Sequence, residues 1–211
     1  MNRRLFASLG CLAIGALSCG HFSLPASSEL PPVSLVAPDS GNVDAREAAQ
    51  GVADATGPMV ERAIQYLRER RTGLSEAEIA QVAATIVREA NLQGLDPNLV
   101  MAVIHIESRG DSFALSPVGA MGMMQIMPLT GEELAAQLEI PWRGAPTLFD
   151  PVANVRIGIA YLKQLESRYE NIATALAAYN WGPGRIDSRI RRGVALPVSY
   201  SGSVLDSYRA P

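Results

Sequence analysis

Cysteine and histidine are nearly missing from this chain. Its 211 residues contain two of each: Cys11, Cys19, His21 and His105. Both cysteines fall within the first 19 residues, so the rest of the chain has neither a disulfide framework nor thiol chemistry. Only one histidine lies outside the N-terminal segment, which leaves little basis for a histidine-built metal site or nucleophile triad. No metal and no cofactor is expected. Basic excess is missing too. Formal net charge is −3, so a nucleic-acid footprint is not expected, and neither an acidic nor a basic tail stands out. Sustained alternation of apolar and polar residues is absent, so any β-structure must be small. No internal repeat is visible. What remains is 48% hydrophobic, enough for one well-buried domain with flanking segments and too short for two large ones.

Residues 1–26 follow their own logic. Arg3 and Arg4 make a short positive start, and Leu5 to Leu17 is an uncharged apolar run of 13 residues. That run is too short to span a bilayer comfortably and suits a secretory signal, with a buried N-terminal helix as the alternative. Ala16-Leu17-Ser18-Cys19 resembles a lipoprotein box, departing from it where Ala16 replaces the usual leucine. Lipidation at Cys19, which would give an outer-membrane lipid anchor, therefore competes with cleavage after Ala26. Residues 27–57, with Pro31-Pro32, Pro38, Gly41, Gly51 and Gly57, have the composition of a tether. Residues 58–74 can hold an accessory helix, centred on Met59 to Arg71.

From Ser75 to about residue 195 the pattern is helical. Ser75-Glu76-Ala77-Glu78 is a capping box. Ile79, Val82, Ala83, Ile86 and Val87 follow at helical spacing, and Gly94 is a natural stop. Asp96-Pro97 caps and opens a second helix, which runs to Glu107 and which Gly110 can end. Further helices are expected over Gly131–Leu138, from Asp150-Pro151 to about Tyr169, over Ile172–Tyr179 and over Arg185–Arg191. The loop at 113–125 is the one candidate for β-structure. The tail, 196–211, is expected to be irregular.

Glu107 ends an otherwise apolar helix. Val103 and Ile104 lie one turn back on its side. Apolar neighbours and the negative end of the helix dipole both disfavour its charged form, so its pKa should rise, as a general acid requires. Arg109 and His105 are each two positions away and point elsewhere. A glutamate near a helix end can equally be ordinary solvated surface.

Three motifs then occur in order: Glu107-Ser108; Gly122-Met123-Met124-Gln125, within Ser116 to Pro128; and Ala178-Tyr179-Asn180. Together they resemble bacterial lytic transglycosylases of the goose-lysozyme-like (SLT domain) family, over residues 77–193. Met123 stands where leucine is usual, a substitution of similar volume.

The resemblance implies a mostly α, lysozyme-like helical domain with at most a small β-hairpin or loop region after the catalytic helix. It implies that Glu107 is the single catalytic acid and base. Ser116 would bond near the glutamate and the sugar, and Gln125 and Met127 would line the glycan groove. Tyr179 and Asn180 would return to the site, with the tyrosine hydroxyl orienting Glu107 and the amide meeting an acetamido group. The same residues also have plain structural readings: Gly119 and Gly122 as turn formers, Met121, Met123, Met124 and Met127 as core, and Tyr179 as a packing residue.

Most glycosidases need two carboxylates. Asp111 has a turn role and Asp150 a cap role, so neither is an evident partner, which favours substrate assistance. The implied partner is the glycan strand of peptidoglycan, and the implied location is the periplasm or cell envelope. The implied reaction cleaves the MurNAc–GlcNAc bond and leaves 1,6-anhydro ends. A lysozyme-type hydrolase on the same fold and a noncatalytic peptidoglycan-binding or assembly protein are the alternatives. A factor that opens the wall for a secretion machine would share the chemistry.

Overall fold

The computed structural model describes residues 57–209. The expected signal segment, Cys19 and the tether up to residue 56 lie outside the described residues. The first described helix, α1, covers 57–68. It begins one residue before the stretch expected to hold an accessory helix, ends within it, and buries Ala63 and Leu67 completely.

Helix α2 spans Glu76–Gln93. Its capping box is formed: the Glu78 amide donates to Ser75 Oγ and the Ser75 amide to Glu78 Oε2. Gly94 closes it in the left-handed conformation at φ 68°, which glycine adopts without steric cost. Helix α3, Pro97–Ser108, starts as Asp96-Pro97 dictates, with the Asn98 amide donating to Asp96 Oδ1 at 2.8 Å. Leu99 through Ile104 are all buried. A helix apolar on every side belongs inside the domain, and each such side chain contributes about 1.5–3 kcal/mol by leaving water. Helix α3 packs against α2 on one side and the C-terminal helix on another. It ends at Ser108 because Arg109 itself takes the left-handed cap at φ 56°, one residue before the glycine expected to stop it.

Helix α4 spans Pro128–Gln137. It begins earlier than expected because Pro128 serves as first residue after Met127, a position that suits proline. A 3-10 turn, Ala145–Phe149, leads into α5, Pro151–Tyr169, capped by Asp150 Oδ1 accepting from the Ala153 amide. Helices α6, Ile172–Trp181, and α7, Pro183–Arg191, follow. Helix α5 packs against α2, α4 and α6. Among the described residues, β-structure is limited to two antiparallel bridges, Leu115 with Met121 and Met121 with Ile126. The described residues are thus mostly α with one small bridged loop after α3.

The tail corrects an expectation. Residues Ser199–Arg209 form helix α8 rather than an irregular segment. Serine, glycine and tyrosine give it weak intrinsic propensity. Tertiary packing supplies what propensity lacks: Val204 and Ser201 are buried, and α8 lies against α3 and α6.

Candidate active site

The loop between α3 and α4 is held to the helices by buried polar bonds. Asn154, fully buried on α5, accepts from the Met124 amide at 2.8 Å. Its Nδ2 donates to the carbonyls of Met121 and Leu148, each at 2.9 Å. Gly122, at φ 75°, passes so close that a Cβ there would sit 2.3 Å from Asn154 Nδ2 and from the Leu148 carbonyl. Only glycine fits both the conformation and the gap. Gly158 on α5 gives room to Met124 in the same way, since a Cβ there would lie 2.3 Å from the sulfur. From α3, Ser108 Oγ donates to the Met123 carbonyl at 2.7 Å. Met121, Met123 and Met124 are consequently core residues.

Glu107 stands in the last turn of α3, half-buried. Burial of its carboxyl group pushes the pKa from the ordinary carboxylate range up to about 7, against a hydrogen bond from Tyr200 that favours the anion. That bond runs from Tyr200 Oη to Glu107 Oε1. Burial first, and then the Glu107 charge, hold the Tyr200 hydroxyl far above its usual pKa, so it stays a donor.

The sequence-derived site residues divide. Tyr179 is buried on α6 and near enough that the Glu107 charge adds to burial in raising its pKa. Its hydroxyl, however, donates to the Met124 carbonyl at 2.9 Å and not to Glu107. Its ring lies 5.1 Å from that of Tyr161. Tyr179 therefore supports the loop behind the glutamate. Ser116 Oγ accepts from the Ala120 amide at 2.9 Å, closing the loop's first turn. Gln125 sits at φ 50° and spends both Nε2 protons on the carbonyls of Ala114 and Gly122. Met127 is 43% exposed at the foot of α4. Asn180 is exposed, and its side chain makes no hydrogen bond among the described residues. Phe113, Leu115 and Val118 on the loop and Leu129 at the start of α4 are also exposed, giving this region an apolar outer surface.

Each acid considered as a second carboxylate has the structural role expected of it. Asp111 Oδ1 accepts from the Phe113 amide in a turn, and Asp150 caps α5. Among the described residues, no three His, Cys, Asp or Glu side chains cluster as metal ligands would.

Sequence reasoning missed Tyr200, Ser108's bond to the loop and Asn154. For Tyr200 a signal existed: Tyr200, Val204 and Tyr208 recur every four residues, the stripe of a helix face.

The chain is similar to known proteins in sequence and in fold. The transglycosylase of Enterobacteria phage PRD1 is 38% identical over 109 residues, covering 46% of this chain and 38% of the phage protein. The soluble lytic murein transglycosylase of Escherichia coli (strain K12) is 41% identical over 88 residues, covering 41% of this chain and 14% of that protein. The chain thus accounts for well under half the length of either relative. The crystal structure of the 70 kDa soluble lytic transglycosylase from Escherichia coli shares the fold, with a TM-score of 0.54 at 24% identity over 71% of this chain and 28% of that one. Residues 84–197, more than half of the sequence, match the Transglycosylase SLT domain family. They take in α3, the clamped loop and the Tyr179–Asn180 helix end, and the chain belongs to that family.

Proposed function

We propose that this chain is a peptidoglycan lytic transglycosylase that cuts the β-1,4 bond between N-acetylmuramic acid and N-acetylglucosamine and leaves 1,6-anhydro-muramic ends. One observation carries the reading: a lone carboxyl group, with a pKa of about 7, stands beside the family's loop and within reach of a tyrosine donor. At neutral pH a large fraction of Glu107 carries the proton that the leaving oxygen must receive.

In the proposed sequence, Glu107 protonates the glycosidic oxygen as the C1–O4 bond breaks. The neighbouring acetamido group of the sugar stabilises the positive C1 centre, so no second carboxylate is required. Glu107, now ionised, takes the proton from the muramic C6 hydroxyl as O6 bonds to C1. The acid is regenerated and no water is consumed. Tyr200 favours the ionised form and holds its orientation. Asn180, exposed and unpartnered, is suited to an acetamido group, and Met127 is suited to the apolar face of a sugar. Ser116 and Gln125 act by shaping the loop, as does Tyr179. The signal-like residues 1–26 support export to the periplasm or envelope, with Cys19 as a candidate lipid anchor.

Mass spectrometry of digested peptidoglycan tests the proposal. Muropeptides lighter by one water than reducing-end products are expected. Reducing-end products alone would make the chain a hydrolase, and no products would leave a binding protein.

A further inference from the structure

Helix α8 is fastened to α3 at both ends. In its first turn, Tyr200 Oη donates to Glu107, which stands in the last turn of α3. In its last turn, Tyr208 Oη donates to Asp96 Oδ2, on the N-cap residue of α3, at 2.7 Å. The two helices therefore run antiparallel. Among the described residues, no other side-chain hydrogen bond joins α8 to another element. Between these two bonds, Ser201 and Val204 are buried. Asp96 can serve both helices because its oxygens divide the work. Oδ1 accepts from the Asn98 amide at 2.8 Å and from Asn98 Nδ2 at 3.0 Å, and Oδ2 takes the tyrosine. Helix α8 lies beyond residues 84–197, which match the family.

The far bond bears on the near one because α8 is a poor helix. Its 11 residues include Ser199, Ser201, Gly202, Ser203 and Ser207, a composition of low helix propensity. Helices this short are marginal alone and form cooperatively. A bond that holds the last turn therefore helps to hold the first. Two tyrosines face Glu107 closely enough that burial, and then its charge, raise their pKa: Tyr179 on α6 and Tyr200 on α8. Tyr179 is engaged by the Met124 carbonyl, so the bond to the carboxyl group depends on where α8 puts Tyr200.

We propose that Tyr208 is a remote positioning residue for Glu107: bonded to Asp96, it fixes α8 and so keeps the Tyr200 hydroxyl on the glutamate. The link between the two ends of α8 is a property of the fold, while its effect on cleavage rests on the transglycosylase reading. Without the Tyr208 bond, α8 frays from its last turn and the Tyr200 bond is made for a smaller part of the time. The consequence is a partial version of losing Tyr200.

The test reads Glu107 directly. Carbon NMR of the full chain, labelled at its glutamate carboxyl groups, follows the Glu107 signal with pH, and Glu107→Gln assigns it. Tyr208→Phe should raise the Glu107 pKa by about 0.3 or more, in the same direction as Tyr200→Phe and by less. Asp96→Ser keeps an N-cap oxygen for Asn98 but offers no second oxygen to Tyr208, and should act like Tyr208→Phe. On a Tyr200→Phe background, Tyr208→Phe should move the Glu107 pKa no further. With peptidoglycan, Tyr208→Phe should lower kcat about threefold at unchanged KM, a limited loss where a 1 Å misplacement can cost about 10²-fold. The alkaline limb of its rate profile should rise with the pKa. A merely structural Tyr208 would lower Tm and leave the Glu107 pKa in place, which overturns the proposal. So does a shift that persists without Tyr200, or an active Tyr208→Phe whose alkaline limb stays where it was. If the titrations behave as expected and the wild type does not cleave peptidoglycan, the link stands and the transglycosylase reading fails.

Discussion

Tyr200 reaches Glu107 across 93 residues of chain and donates a hydrogen bond to its Oε1. The two residues sit on α8 and α3, which pack together. Their pairing sets a balance: burial raises the glutamate pKa, the tyrosine lowers it, and the outcome is about 7. A carboxyl group at that value can give up a proton and take one back without a large penalty either way.

Glu107→Gln keeps shape and size but has no proton to transfer. Cleavage of peptidoglycan should fall by at least about a hundredfold, since general acid–base catalysis typically contributes 10²–10⁴. Glycan binding should survive. In the wild type, kcat should decline as pH rises through about 7, where Glu107 ionises. Zymograms and a pH–rate profile check both points. A variant retaining a substantial fraction of wild-type turnover removes Glu107 from the mechanism.

Tyr200→Phe removes the one hydrogen bond that favours the glutamate anion. The Glu107 pKa should rise further, so the alkaline limb of the rate profile should move to higher pH. The rate plateau should fall by on the order of tenfold, as the ionised base that takes the C6 proton is less favoured and less well oriented. A purely structural tyrosine would lower Tm without moving the limb, so the pH profile decides.

The helical frame was legible because its signals are local. Ser75 with Glu78, Asp96-Pro97, Asp150-Pro151 and Gly94 each act through backbone groups a few residues away, and each stands where the chain indicates. The apolar run before Glu107 was equally readable as a desolvated carboxyl group. What escaped was tertiary. Tyr179 carried the expectation of orienting Glu107, yet its hydroxyl holds the Met124 carbonyl, and Tyr200 takes the glutamate instead. Nothing within a few residues of Tyr200 encodes a partner that distant. The weak propensity of residues 199–209 outweighed the four-residue stripe of Tyr200, Val204 and Tyr208 that marks the helix carrying it. Asn154 was opaque for the same reason: its bonds reach to residues 121 and 124.

Gly122→Ala tests the loop clamp. The new Cβ would press on Asn154 Nδ2 and on the Leu148 backbone at a left-handed φ, and backbone gives way poorly. Destabilisation of about 2–4 kcal/mol is expected from strain and broken buried hydrogen bonds. Urea denaturation should show it, and activity should fall at temperatures where the fold remains intact, because Met124 and Gln125 shift with the loop. Gly94→Ala has open space around it and should cost only the left-handed strain, about 1 kcal/mol.

Glu107 also makes a prediction about stability. Its pKa is raised on folding, so the folded state binds its proton more tightly than the unfolded chain does. The stabilisation from that proton is complete below the unfolded value of 4.5 and is lost as pH climbs to about 7. Above that, the wild type carries the cost of a buried anion, at most about 3 kcal/mol by the size of the shift. Glu107→Gln has no such cost. Its stability relative to wild type should therefore be near zero at pH 4, grow between pH 4.5 and 7, and level off by pH 8. Paired thermal melts across that range measure it, and a difference that does not change with pH would mean that Glu107 titrates like a solvated glutamate.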